Sequence, residues 1–372
     1  MSNTALDPAR LDAAMENVHR AGVPGVFAEV RAGDQVWRGA AGFADLGTRR
    51  PATPDLRHRV GSITKTFVTA AVLQQVEAGD IDLDAPIGRY LPGLVPGGRG
   101  RAITVRMLIH HTSGLAEYLP YAYPSLKGFP DPAHTGPASL DDHRFTRFHP
   151  TELIEMGVGA PAAGAPGATP GTYSNTNYLL VGRLLEQVTG TTAERYITQN
   201  VIERADLRAT ELPTGPHMEG PHPRMYEAWF GMIDPPRDYS VFDMSWVWSA
   251  ASLISTVGDL NRFYALLFAG EIVSPASLAQ MRRTVPVVSQ QGTTIDYGLA
   301  LHPWTSAADS SYWGHGGSAW GAGTLAMART DGKRQLAVAV NLQRWNRLDP
   351  AGRPRRHPID DALAALYRVA MG

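Results

Sequence analysis

Strand-like segments stand at the two ends of this chain and leave its middle to helices, and that arrangement restricts the fold more than any single motif. Residues 25–30 and 35–44 are apolar-rich, with a turn at Gly33-Asp34 between them. Towards the other end, residues 297–301, 319–328 and 335–342 read as strands, and Asp331-Gly332 is a hairpin signal between the last two. Leu6, Leu11, Met15 and Val18 mark an amphipathic helix that starts after Asp7-Pro8, and residues 359–371 form another. Between the strand-rich ends, helical spacing covers residues 67–77, 105–110, 178–188, 193–200 and 257–268. The predicted class is α+β. Residues 1–60 and 250–372 would build one lobe, an antiparallel sheet flanked by the terminal helices, and residues 61–249 an inserted, mainly helical lobe. With 372 residues and 44% hydrophobic content the chain can fill both. A site is expected in the cleft between them.

Charge and composition narrow the function. The 34 basic and 35 acidic residues leave a net charge of −1, so no basic field exists to hold nucleic acid or an anionic membrane. No apolar run approaches the ~20 residues of a membrane span. Residues 1–20 lack a signal-peptide pattern, so the sequence points to the cytoplasm unless a signal was removed. The absence of cysteine excludes disulfides, thiolate catalysis and cysteine-based metal sites. Asp80-Ile81-Asp82-Leu83-Asp84 begins like a calcium loop but has Ala85 and Leu91 where the glycine and the closing glutamate belong. No His-Glu-x-x-His, phosphate loop or Gly-x-Ser-x-Gly is present. Neither a metal nor a cofactor is expected, and the oligomeric state is not legible.

Ser62-Ile63-Thr64-Lys65 is the one Ser-x-x-Lys of the chain, at the head of a helical stretch. A lysine three residues along a helix lies on the same face as the serine, where its amine can take the hydroxyl proton. Two further segments carry polar chemistry. Tyr173-Ser174-Asn175 stands just before a helix that begins near Asn177, and offers a phenol that can relay a proton and an amide that can hold an amine. His315-Gly316-Gly317-Ser318 leads into the strand at 319–328, where glycines let a ligand backbone approach closely. Long Gly/Pro-rich stretches at 119–150, 157–171 and 213–239 are of a length that usually lines a site.

Taken in this order, the three segments resemble the penicillin-recognising serine hydrolases: class C β-lactamases, serine D,D-carboxypeptidases, D-aminopeptidases and related esterases. The likeness extends through Arg59-Val60-Gly61, Ile81-Asp82-Leu83 and His111-Thr112-Ser113-Gly114-Leu115, and is nearest to actinobacterial D,D-carboxypeptidases. It implies a β-lactamase/D,D-peptidase-like fold and a cofactor-free acyl hydrolase. Ser62 would be the nucleophile and Lys65, kept neutral by burial, would help take its proton. Tyr173 would be its acid–base partner, and which of the two is the base stays open. Asn175 would bind the acyl amide and orient Lys65, and His315 would supply electrostatics where many relatives have lysine. The N–H groups of Ser62 and Ser318 would form the oxyanion hole. Gly316 and Gly317 would bind substrate, and Trp313 and Trp320 would wall an acyl group, with Trp246, Trp248 and Trp304 near. Relatives that cleave a C-terminal D-residue have a hydroxyl at the place of Gly316 and an arginine at that of His302. Their absence favours esters, amides or N-terminal D-residues over a free carboxylate. The expected partner is a small-molecule or peptide substrate. An esterase, amidase or D-peptidase is expected first, a peptidyl thioesterase, cyclase or transferase second, and a β-lactamase or non-catalytic receptor after those.

Overall fold

The computed structural model describes residues 5–372, apart from 130, 306–310, 348, 352 and 354. Residues 1–4 of the N-terminal segment and one residue of the 119–150 stretch therefore lie outside the described residues. Asp7 caps helix α1 (Pro8–Arg20) by accepting from Arg10 N, with Pro8 in the first turn where its missing N–H costs nothing. Strands β1 (Gly25–Ala32), β2 (Gln35–Asp45) and β3 (Arg50–Pro51) follow. Helices α2 (Thr64–Ala78), α3 (Asn175–Thr189) and α4 (Val257–Ala269) belong to the middle of the chain. Strands β4 (His302–Thr305), β5 (Ser311–Ala319), β6 (Ala322–Arg329) and β7 (Arg334–Val340) return to the sheet, and helix α5 (Pro358–Met371) is the last element.

These seven strands form one antiparallel sheet in the order β4-β5-β6-β7-β1-β2-β3, so the two ends of the chain meet at its centre. There β1 pairs with β7 from Val26 opposite Val340 to Ala32 opposite Arg334. β1 is buried along almost its whole length because both of its faces are covered. Val26, Ala28 and Val30 pack with Leu11, Met15 and Val18 of α1 and with Leu366 of α5. Phe27 points the other way, into the large core that holds α2, α3 and α4. Glu29, on that second face, is fully buried yet compensated. Its carboxylate accepts from Arg31 Nε (2.6 Å), Arg38 Nε (2.7 Å) and Asn261 Nδ2 (3.2 Å). Unpaired, it would cost several kcal/mol, on the order of 3–5.

The α+β class and the flanking terminal helices are as expected, and the predicted helices match within a few residues. Two strand readings need correction. His315-Gly316-Gly317-Ser318 lies inside β5 rather than leading into a strand at 319–328, a range that the Trp320-Gly321 turn divides between β5 and β6. Three glycines at 314, 316 and 317 remove the side-chain alternation by which a strand is recognised. Residues 297–301 form no strand either. The short strand Thr294–Tyr297 ends there, Gly298 N donates to Leu301 O (2.7 Å), and Ala300 has φ of +54°. This turn is buried on all sides, so its apolar run imitates a buried strand. The long stretches at 119–150 and 213–239 contain short helices and strands that fold over the site. Among the described residues, no helix is long and apolar enough to cross a membrane.

Candidate active site

Gly61 sets the geometry of the Ser-x-x-Lys segment. With φ of +57° it turns the chain into a single 3₁₀ turn, Gly61–Ile63, which continues as α2. Thr64 locks this entry: its hydroxyl donates to Gly61 O (2.7 Å) and accepts from Leu253 N (3.0 Å). Ser62 is thereby held just ahead of α2, half-buried, with Lys65 one turn on and fully buried.

Lys65 Nζ lies 3.0 Å from Ser62 Oγ, 2.8 Å from Asn175 Oδ1 and 2.9 Å from Ala250 O. The last two are pure acceptors, so they fix two N–H bonds of a neutral amine and leave its lone pair facing the serine hydroxyl. Burial lowers the Lys65 pKa from 10.5 to about 7, against the opposing pull of the Glu117 carboxylate. The phenol of Tyr173 moves the other way. Burial holds its pKa far above the ordinary value, although the Ser62 hydroxyl beside it works in the opposite direction. At neutral pH Tyr173 is therefore a proton donor, and Lys65 is the group that can be a base.

Three residues behind this constellation were missed. Glu117 is the first: its Oε2 accepts from Asn175 N (2.9 Å), Asn175 Nδ2 (3.0 Å) and Gln290 Nε2 (3.3 Å). With Nδ2 held by Glu117, Asn175 must turn Oδ1 towards Lys65. Burial pushes the Glu117 pKa up while the backbone N–H groups of Asn175 and Leu119 hold it down. A signal existed, because Glu117 is the single acidic residue between Asp84 and Asp131. The second is His111, whose ring stacks on Tyr173 with centroids 4.0 Å apart. Its Nδ1 accepts from Ser174 N (3.2 Å) and lies 3.1 Å from Asn177 Nδ2. The third is Tyr297, edge-on to Tyr173 at 5.9 Å, with its hydroxyl 2.9 Å from His315 Nε2.

On the sheet side, β5 runs past the nucleophile. A Cβ on Gly61 would lie 2.4 Å from Ser318 N, and one on Gly317 would lie 1.9 Å from Val60 O and 2.8 Å from Ser62 N. Gly317 thus makes room for the protein's own backbone as well as facing the cleft. This contact sets the backbone of Gly317-Ser318 directly beside that of Gly61-Ser62. Gly316 lines the cleft too and, by contrast, has nothing closer than 3.8 Å to an added Cβ. His315 is neutral at neutral pH, because burial, then His302 and Lys65, depress its pKa strongly. The charge that a lysine would supply here is absent.

Two cavities meet at Ser62. A wide one of about 510 Å³ is lined by Tyr173, His315, Gly316, Gly317 and Ser318, and reaches Trp304 and α5. A narrow one of about 30 Å³ is lined by Asn175, Ser318, Trp320, Trp246, Trp229 and Trp345 among others. Trp246 and Trp320 stack at 4.8 Å, and Trp229 stands edge-on to Trp320 at 5.7 Å. Of the tryptophans expected near the site, Trp320 and Trp246 line the narrow cavity and Trp304 the wide one. Trp313 and Trp248 line neither cavity. Trp229 and Trp345 do, the first carried there by the long 213–239 stretch and the second by the segment that follows β7.

The Beta-lactamase family model matches residues 10–360. The solved structure of a D-stereospecific amidohydrolase from Streptomyces sp. is 34% identical, with a TM-score of 0.79, over 90% of this chain and 94% of that one. The D-amino acid amidase of Ochrobactrum anthropi SV3 shares the fold at 21% identity, with a TM-score of 0.79 and 98% of both chains covered. A D-aminopeptidase of Cereibacter sphaeroides is 27% identical over 338 residues, and this chain spans 60% of its length. The chain belongs to the Beta-lactamase family and is a serine hydrolase.

Proposed function

We propose that the protein is a D-stereospecific amidohydrolase that cleaves amide bonds next to D-aminoacyl groups through an acyl-enzyme on Ser62. The observation that carries this reading is the buried Lys65 amine, held by Asn175 Oδ1 and Ala250 O with Ser62 Oγ 3.0 Å away. An amine so placed, with a pKa near the working pH, activates a serine without a histidine. The choice of D-aminoacyl amides is supported by the Streptomyces amidohydrolase, similar over nearly its whole length.

In the first step Ser62 Oγ attacks the carbonyl carbon and its proton passes to Lys65 Nζ. The carbonyl electron pair moves to oxygen, where the N–H groups of Ser62 and Ser318 receive it; each such donor contributes about 3 kcal/mol. As the C–N bond breaks, the Tyr173 hydroxyl gives its proton to the leaving nitrogen and regains one from Lys65. Water then repeats the sequence on the ester. Tyr173 lines the wide cavity and Asn175 the narrow one. The leaving group therefore occupies the wide cavity and the acyl side chain the aromatic one.

The test is kcat/KM for the amides and methyl esters of D- and L-alanine and D- and L-phenylalanine, with added amines to separate hydrolysis from transfer. D-amides are expected to be turned over, and Ser62→Ala is expected to reduce this to background while leaving the thermal transition in place. A preference for the L series, or activity that survives in Ser62→Ala, would remove the proposal.

Glu117→Gln tests the support behind the amine. An amide in this place loses an acceptor or faces the Asn175 donors with its own, a change of about 1–3 kcal/mol. kcat/KM should fall about tenfold or more. The acidic limb of the pH profile should also move to lower pH, because the charge that raises the Lys65 pKa is gone. A lower rate with an unmoved limb would limit Glu117 to holding Asn175.

A further inference from the structure

Sequence reading finds nothing beside the nucleophile to hold a carboxylate, since Gly316 has no hydroxyl and His302 takes the place of an arginine. The structure supplies a cation elsewhere in the same cavity. The wide cavity runs from Tyr173 and His315 to a far wall made by Arg344, Trp345, Asn346 and the first turn of α5. Among its lining residues, Arg344 is the one permanent cation and Asp360 the one carboxylate.

The two do not pair. Asp360 Oδ2 accepts from His357 N (2.8 Å) and from Asn346 Nδ2 (2.7 Å), which ties it to the start of α5. The Arg344 guanidinium rests over Gly231, where an added Cβ would lie 3.2 Å from Nη2. Among the described residues, no hydrogen bond or ion pair is recorded for Arg344, although it is half-buried. Other arginines are engaged, such as Arg106 with Asp84, Arg38 with Glu29 and Arg224 with Asp238, and Arg344 is set apart from the remaining unpaired ones by its place on the wall of this cavity. A guanidinium has five N–H donors in a planar fork that matches a carboxylate, and a partly desolvated one without an acceptor is incomplete. The other titratable group at this wall, His357, is held below its ordinary pKa by burial and by Arg344 itself, so it adds a ring nitrogen rather than a second charge.

We propose that Arg344 recognises a carboxylate on the leaving group, set beyond the scissile bond rather than beside it. This rests on the amidohydrolase reading, which places the leaving group in the wide cavity. The substrate class becomes a short peptide with an N-terminal D-residue and a free carboxylate at its far end. Trp345, next in the chain, lines both cavities and so ties Arg344 to the catalytic serine's surroundings.

The experiment is kcat/KM for D-alanyl peptides with one, two or three glycines after the D-residue, each as the free acid and as the C-terminal amide, for wild type, Arg344→Gln and Arg344→Lys. Wild type is expected to prefer the acid by about tenfold at one chain length and less at the others, as for a charge-assisted hydrogen bond. Arg344→Gln should bring that ratio close to one through the KM of the acid, and Arg344→Lys should keep part of it, because the charge remains without the fork. Thermal transitions of both variants check folding. Turnover with no acid preference at any length, or a preference that persists in Arg344→Gln, overturns this proposal alone. No turnover of any of these peptides by the wild type overturns the amidohydrolase reading together with it.

Discussion

Lys65→Arg is expected to lower kcat by about a thousandfold, within the range for loss of a positioned general base. The physical reason is charge. Burial brings the Lys65 amine to a pKa of about 7, so near neutral pH a substantial fraction is unprotonated and can take the Ser62 proton. A guanidinium stays protonated throughout the working pH range and has no lone pair to offer. Wild type carries the matching signature. Below pH 7 the protonated fraction of Lys65 rises, so kcat/KM should drop towards tenfold per pH unit, and above that it should level off. The pH–rate profile with a D-aminoacyl amide is the check. A profile that stays flat down to pH 5 would show that Lys65 is not the base. Tyr173, whose phenol stays protonated across this range, cannot produce such a limb.

Gly317→Ala is expected to cost about a hundredfold in kcat with a smaller change in KM. Its Cβ would lie 1.9 Å from Val60 O and 2.8 Å from Ser62 N, and both are backbone atoms that cannot swing aside. β5 or the Gly61–Ile63 turn must shift, which moves apart the Ser62 and Ser318 N–H groups that are proposed to share one oxygen. A misaligned oxyanion donor loses about 10²–10³ in rate. Gly316→Ala is the contrast one residue away, where the added carbon meets nothing within 3.8 Å. Its loss should stay below tenfold. Steady-state kinetics of the two variants, with circular dichroism as the control on folding, decide the matter. Equal effects would mean that the close approach of the two backbones is not what makes the hole.

Much of this was legible because it is local or periodic. Strands at both ends with helices between them required the ends to meet in one sheet, and β1 beside β7 is that meeting. The pairing of Ser62 with Lys65 was legible because three residues along one helical entry is a fixed distance in any fold. Tyr173-Ser174-Asn175 could be read as polar chemistry at a helix start, since α3 begins at Asn175. The glycines of β5 hid that strand, and the buried turn at Gly298–Leu301 counterfeited one, because apolar content reports burial and not backbone direction.

Sequence by itself determined the class of fold, the family resemblance and the identity of the groups that meet at the serine. The tertiary structure decided how those groups are placed and how far water is removed from them. Lys65 depends on Asn175, 110 positions away, and on Ala250, 185 positions away, and its pKa is depressed only because the assembled lobes remove water from it. Trp345 and Arg344 at the end of the cleft have no local signature of function, and the isolation of Glu117 among neutral and basic residues does not say that it stands behind Asn175. Their roles come from position in space, and position is set by long-range packing that no spacing along the chain encodes.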